Sequence, residues 1–405
     1  VLGLASTPHG SVPVRRFGRT GLAMPVLTCG GMRFMRSWNE SEAERVTPEE
    51  QHRLEDAVER AVAAGITHIE TARGYGTSEA QLGRVLPRLP RARLIVQTKI
   101  EPCPAEEFLR KADECFRALR LDYVDLLAIH GINNEDLLHQ TLRKGGALEG
   151  ARKLQREGRC RFVGFSTHGS CQLVERAIAT EEFDYVNLHW YFVHPHMEPA
   201  VATAGRYDLG VLIISPNDKG GHLYKPSARL RRLCRPLSPM QFNLLYCLAR
   251  DDVHTLSIGV AQASEWDEHI AALAYYPRRV ELATQIAMRL EQELERTLGR
   301  EWWRHWWKGI PEWSKIPGQV NVFEIVRLWN YAVGLGLTDY ARSRYNLLGQ
   351  AEHWFPGRNA AQMDEAAVRR ALAYSPFADR IVEVLRDADR RFRGQPARRL
   401  SQSGS

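Results

Sequence analysis

From residue 24 onward, short apolar runs alternate with longer amphipathic ones as far as about residue 276. The short runs are MPVLTCGG (24–31), GITHIE (65–70), RLIVQTK (93–99), YVDLLAIH (123–130), CRFVGFS (160–166) and the stretches 185–189, 210–215 and 255–259. Their β-branched content and length predict strands. Segments such as LLAI and VLII are apolar at every position, as strands covered by helices on both faces require. Between them the spacing changes to that of a helix: Leu54, Ala57, Val58, Ala61 and Val62 form one face over 49–64, and related patterns predict helices over 105–119, 147–157 and 172–179. Eight strand candidates separated by helical segments predict an α/β protein, a (β/α)8 TIM barrel. A short strand and turn over 14–21 lead into it.

After Pro277 the strand rhythm stops. Helices are expected over 279–298, 323–335, 365–374 and 379–392, and seven of the ten tryptophans fall between Trp302 and Trp354. The expected organisation is a flexible N-terminus (1–13), a barrel (14–276), a Trp-rich helical extension (277–393) and a disordered tail (394–405). The tryptophans are expected to pack the extension onto the barrel or onto another subunit, which leaves the oligomeric state open.

Composition narrows the class. A hydrophobic content of 44% suits a packed globular enzyme or binding protein. The net charge of +7 is spread over 55 Lys+Arg and 48 Asp+Glu. Its densest part, Arg390, Arg391, Arg393, Arg398 and Arg399, reads as a solvated arm, so no nucleic-acid partner is expected. Neither a signal peptide nor a membrane span is read from the N-terminus or the rest of the chain. Seven cysteines without CxxC spacing point to reduced thiols and a cytoplasmic setting.

Four ionisable residues lie at or just beyond successive strand ends: Glu70 and Tyr75 after the second barrel strand, Lys99 at the third and His130 at the fourth. In a parallel barrel such ends share one mouth. A tyrosine holds its proton to about pH 10 and is a weak acid toward a carbonyl oxygen. An adjacent ammonium such as Lys99 stabilises the phenolate, and a carboxylate such as Glu70 holds that ammonium charged and in place. His130 would orient a carbonyl or share its proton. Each residue alone reads more readily as structural; four at consecutive strand ends read as equipment for carbonyl reduction.

The order ETARGYG, QTKI and LLAIHG, with the entry segment FGRTGLAMPVLTCGGMRF, resembles the aldo-keto reductase family over residues 14–276. The resemblance implies a TIM barrel using NADP(H) on small carbonyl substrates, with Tyr75 as general acid, Lys99 as its activator, His130 orienting the substrate and Glu70 partnering Lys99. It further implies that Ser166 in GFST and Asn187 in VNLHW hold the nicotinamide carboxamide. ISPNDKGG (214–221), with Ser215, Pro216, Lys219, Gly220 and Gly221, is similar to the segment that wraps the pyrophosphate, and its lysine and glycines suit phosphate.

Two departures from the family pattern stand out. The usual aspartate is Glu70, one methylene longer. The adenosine-end segment SIGVAQASEWDEH (257–269) has Ile258 and Gly259 in place of a Pro-Gly or Pro-Lys start, His269 in place of an asparagine, and no Arg or Lys. NADP(H) is therefore the expected cofactor with NAD(H) as second candidate, and strong selection for a 2′-phosphate is not expected. A low-turnover sensor or scaffold that binds the cofactor is the alternative function. The extension, with RLWNYA, RYN and HWFPG, resembles the tail of a bacterial subgroup that carries a ferredoxin-like cysteine cluster. Here no cysteine follows Cys247, so no iron–sulfur cluster is expected, and REWWRHWWKGIPEW (300–313) stands where the cysteine run would be.

Overall fold

The computed structural model describes residues 12–351 and 353–394. The tail expected to be disordered lies outside the described residues except for Gly394, whose amide donates to Asn346 Oδ1 at 3.1 Å. Of the segment 1–13 only Val12 and Pro13 are described. Val12 is buried and the Pro13 carbonyl accepts from the Val26 amide at 2.9 Å.

A small antiparallel hairpin, β1 (Val14–Arg16) with β2 (Ala23–Pro25), closes the floor of the molecule. Phe17, at its turn, is fully buried among Met24, Ile95, Leu126, Tyr185 and Leu212. A Cβ on Gly210 would lie 2.6 Å from the Phe17 ring, so glycine there admits the plug. Above it eight parallel strands form a closed barrel in the order β10-β3-β4-β5-β6-β7-β8-β9. They are β3 (Leu27–Gly30), β4 (His68–Glu70), β5 (Ile95–Ile100), β6 (Val124–Ile129), β7 (Cys160–Ser166), β8 (Tyr185–Leu188), β9 (Gly210–Ile214) and β10 (Thr255–Gly259). The eight strands are those read from the sequence, with ends shifted by a residue or a few. The single run expected over 24–31 divides into β2 and β3, because Pro25 closes the hairpin before the barrel strand begins.

The first helix, Pro48–Ala63, shows how local chemistry sets the boundaries. Thr47 and Glu50 form a reciprocal capping box, Pro48 fits the first helical position, and Leu54, Ala57, Val58 and Ala61 are the buried face. Gly65, at φ 91°, then turns the chain toward β4.

Side chains two residues apart on neighbouring strands stack in polar layers inside the barrel. Thr28 Oγ1 lies 2.7 Å from His68 Nδ1 and 2.8 Å from Thr255 Oγ1, and all three are buried. One step nearer the mouth come Gly30, Glu70, Lys99 and Ser257.

The extension is helical, as expected, and packs on the barrel. Besides Arg279–Leu298, Val322–Leu335, Glu365–Ala371 and Ala378–Phe392 it contains Arg300–His305, in the stretch where Trp302, Trp303, Trp306 and Trp307 recur at helical spacing, and Thr338–Tyr345, which the sequence reading did not include. TDYARSRY lacks an apolar stripe, yet it buries Tyr340, Ala341, Arg344 and Tyr345, because Tyr340 and Arg344 find partners on the barrel and Tyr345 finds Asp389 within the extension. Trp302 and Trp306 are buried, and Trp302 donates to Asn330 Oδ1 at 2.7 Å and meets Phe377 edge-on. These indoles are the extension's own core.

Candidate active site

Glu70 is the last residue of β4 and Tyr75 follows it in the turn 71–77, which leads into the short helix Ser78–Leu82. Thr71 donates its amide to Gln97 of β5 and Arg73 its amide to Lys99, so the turn is fastened over the end of β5. This brings the Lys99 Nζ, 1% exposed, to 3.2 Å from Tyr75 Oη, to 2.8 Å from the Thr71 carbonyl and into an ion pair with Glu70 Oε1. The ammonium also lies 4.5 Å from the Tyr75 ring centroid. His130, just past β6, meets the Tyr75 ring edge-on at 5.7 Å, and its Nδ1 is enclosed with no hydrogen-bond partner. Trp38 closes the other side of Tyr75 at 6.4 Å. The four residues predicted from the strand ends therefore meet at one point.

The extra methylene of Glu70 is accommodated across the barrel. Oε2 accepts from Ser257 Oγ of β10 at 2.8 Å while Oε1 faces Lys99. Protein atoms fill the room beside the two glycines at the end of β3. A Cβ on Gly30 would lie 2.6 Å from Ser257 Oγ, and one on Gly31 would lie 2.8 Å from Ser78 Oγ.

Burial dominates the electrostatics. It raises the Tyr75 hydroxyl, keeping it protonated at neutral pH, and pulls Lys99 well below its usual value, against which the contact with Glu70 favours the charged form. His130 falls to about 3 through burial and the neighbouring Lys99, so it is a neutral imidazole.

The residues read as cofactor ligands occupy the rest of the mouth. Ser166 ends β7, and its Oγ accepts from the Gly131 amide at 3.0 Å. Asn187, in register with Ser166 on β8, is fully buried with both Nδ2 and Oδ1 lacking partners. Ser215, at φ 52°, and Pro216 open the loop after β9; Gly220 and Gly221 follow, with a Cβ on Gly220 lying 2.0 Å from the Pro216 carbonyl. The Lys219 Nζ is 3.2 Å from His168 Nδ1 and 2.9 Å from His189 Nε2, and the Trp354 ring lies 4.9 Å away. Burial and Lys219 hold both histidines well below their ordinary pKa, so neutral rings face the ammonium. Gly259 ends β10. His269, in the helix Trp266–Ala272, pairs with Asn217 at 3.2 Å and is lowered by burial to about 4.

Several residues here escaped the sequence reading. Arg33, from the segment after β3, donates to the Gly259 carbonyl at 3.2 Å and pairs with Glu265 at 2.8 Å, bringing a cation to a segment that has none of its own. Its place two residues beyond GlyGly at a strand end was the available signal. Ser257 was taken only as the start of the adenosine segment. His168, His189 and Asn217 each follow a barrel strand as well. The extension also reaches the mouth: Tyr340 Oη donates to the Lys219 carbonyl at 2.9 Å, Arg344 pairs with Asp218 at 2.6 Å, and Asn133 Nδ2 donates to the His353 carbonyl at 2.7 Å. Trp190, which follows β8, stacks on Tyr246 at 5.0 Å and lines a depression with Arg250 and Met288 that contains none of the four strand-end residues.

Residues 26–275 match the Aldo/keto reductase family, well over half of the chain. Among curated proteins, morphine 6-dehydrogenase of Pseudomonas putida is 34% identical over 143 residues, 34% of this chain and 46% of that protein. L-galactose dehydrogenase of Arabidopsis thaliana is 35% identical over 119 residues, 27% of this chain and 36% of its own. The matched segments thus span about half or less of those relatives. Among solved structures, an aldo-keto reductase of Bacillus halodurans in its holo form aligns with a TM-score of 0.57 at 18% identity, covering 69% of this chain and 96% of that one. An aldo-keto reductase of Klebsiella pneumoniae in complex with NADPH aligns at 0.54 and 19% identity with the same coverage. At these identities the likeness establishes the barrel.

Proposed function

Because this chain belongs to the aldo/keto reductase family, we propose that it is an oxidoreductase that reduces an aldehyde or ketone with NADP(H). The observation that carries the reading is the buried contact chain Glu70, Lys99 and Tyr75 beside a neutral His130. When bound, the reduced nicotinamide would supply the hydride. The fit of the residues to it rests on Asn187: a buried side-chain amide with both ends unpartnered matches a carboxamide, which offers one donor group and one acceptor. Ser166, in register beside it, would add a third contact.

The chain's own residues divide the proton chemistry among them. His130 would hold the carbonyl oxygen by donating from a neutral ring, and Tyr75 Oη would give that oxygen its proton. Lys99 donates to the phenolic oxygen, so the phenolate left behind is stabilised by an ammonium already in contact. Glu70 keeps that ammonium charged inside a buried site, where alone it would tend to lose its proton. Trp38, beside Tyr75, would limit the approach of water and of bulky substrates.

On the nucleotide side, Lys219 and the backbone of the Ser215 to Gly221 loop are proposed for the pyrophosphate, with Gly259, His269 and Arg33 toward the adenosine. The NADPH complex of the Klebsiella pneumoniae reductase agrees in cofactor class. A cytoplasmic location belongs to the same reading. No described helix is long and apolar enough to cross a membrane.

The test is NADPH oxidation with a panel of small aldehydes and ketones, run on the native chain and on Tyr75→Phe. Turnover that disappears in the variant while NADPH still quenches tryptophan fluorescence supports the reading, and retention of near-full rate overturns it. The Glu70 to Lys99 contact weighs against one ground of the sensor or scaffold alternative, the changed carboxylate; its other ground, the departures of the adenosine-end segment, is met only by the cofactor test. NADPH that raises the melting temperature without being oxidised by any carbonyl would favour that alternative.

A further inference from the structure

We propose that Ser257 is a positioning residue for the proton-donating group, holding the Glu70 carboxylate against Lys99 and thereby allowing a glutamate to serve there. The inference rests on the reductase reading for its role in turnover, while the contact itself can be measured without any substrate.

Ser257 is on β10 and Glu70 on β4, and β3 lies between them. A serine hydroxyl can cross the intervening strand only where that strand has no side chain on the inner face. Gly30, in register with Glu70 on one side and Gly259 on the other, provides this gap. All three polar residues are sealed from water: Ser257 is 7% exposed, Glu70 3% and Lys99 1%. Glu70 divides its oxygens, Oε1 to Lys99 and Oε2 to Ser257, and Ser257 Oγ is the hydroxyl that satisfies the second oxygen at 2.8 Å.

A glutamate has one more rotatable bond than an aspartate, so its carboxylate is less fixed by its backbone. The second hydrogen bond removes that freedom and leaves the first oxygen aimed at Lys99. Without Ser257, Oε2 would be a buried charged acceptor lacking a donor, and the side chain would turn to seek one at the expense of the ion pair. An aspartate at the same place is shorter by one methylene and withdraws from Ser257. The serine and the glutamate therefore form a matched pair, with Gly30 as the opening that joins them.

The experiment combines Ser257→Ala and Glu70→Asp singly and together, with two readouts. The first is the 13C-lysine NMR titration of Lys99 in the protein without cofactor, its signal assigned by Lys99→Met. The second is the kcat and KM of carbonyl reduction. In Ser257→Ala the Lys99 titration is expected to move to lower pH and kcat to fall about 10-fold with KM little changed, the size expected for one charge-assisted hydrogen bond. In the Glu70→Asp background the same substitution is expected to cost under about 2-fold, because the shorter carboxylate does not depend on the serine. An equal loss in both backgrounds, or an unchanged Lys99 titration in Ser257→Ala, would overturn the proposal.

Should Ser257→Ala fail to fold, Ser257→Cys leaves no void and offers a poorer donor. It is expected to shift Lys99 in the same direction, and a native titration in that variant overturns the proposal as well. A shifted Lys99 in a protein that reduces no carbonyl would uphold the serine's role and refute the reductase reading, so the two failures are distinguishable.

Discussion

The two ends of the proposed cofactor groove differ in how their polar atoms are spent. Where β6 and β8 finish, His130 has one buried polar atom without a partner and Asn187 has two. Where β10 finishes, most of the polar atoms are occupied: Arg33 holds the Gly259 carbonyl and Glu265, Glu265 also accepts from the Ala261 amide at 3.1 Å, and His269 holds Asn217 through Nε2, with its Nδ1 enclosed and unpartnered. A carboxamide entering the first end would find Asn187 already desolvated and idle, beside a Ser166 hydroxyl that accepts from the Gly131 amide. An adenosine phosphate entering the second must compete with Glu265 for Arg33. A strict demand on the nicotinamide and a loose one on the nucleotide tail follow from this difference.

The largest expected effect tests whether chemistry is separate from both ends. Tyr75→Phe removes the proton donor and neither set of ligands, so kcat should fall by about 10²- to 10⁴-fold while the dissociation constant for NADPH, read by fluorescence quenching, is unchanged. Acidification comes next. His68 inside the barrel and His269 at the adenosine end are both buried and lowered to about 3 and about 4. Their folded pKa values lie below the unfolded one, so the stability they contribute is present above about pH 6.5 and is lost as pH falls toward the folded values. At pH 5 each should cost about 2 kcal/mol relative to neutral pH, visible as a steep drop in melting temperature that His269→Gln makes shallower.

Asn187→Ala is expected to weaken NADPH and NADH alike, by about 5- to 30-fold, the cost of one or two hydrogen bonds at a buried site; calorimetry with both nucleotides would show it. Arg33→Gln should have the smallest effect. Because Arg33 already serves Glu265, the ratio of NADPH to NADH affinity should change by less than about 5-fold. A larger change would mean that the adenosine end releases its internal pair more readily than its contacts suggest, and would erase the contrast between the two ends.

The barrel was legible in the sequence because its strands are apolar runs of suitable length and its functional groups sit where such runs stop. Glu70, Tyr75, Lys99 and His130 needed only that rule. Ser257 is a third position of a strand, and its use depends on Gly30 of a neighbouring strand, a relation that no local pattern carries. Arg33 and Arg344 reach the mouth from segments without strand rhythm, and their value lies in what they meet across the fold. The helix Thr338–Tyr345 went unread for the same reason. Its buried faces are made of tyrosine and arginine: Tyr340 and Arg344 are satisfied by Lys219 and Asp218 from the barrel, and Tyr345 by Asp389 of the extension.

Those contacts also set an order of events. Tyr340, Arg344 and His353 follow every barrel strand along the chain, so they leave the ribosome after the strands have been made. A nascent barrel can close its sheet and bury its floor, but the loops after β6 and β9 remain unclasped until the last part of the extension arrives. The mouth is thus completed late in synthesis, and a chain stopped near residue 300 would hold Glu70, Lys99 and Tyr75 through barrel contacts alone while the loops after β6 and β9 lacked the contacts of Tyr340, Arg344 and His353.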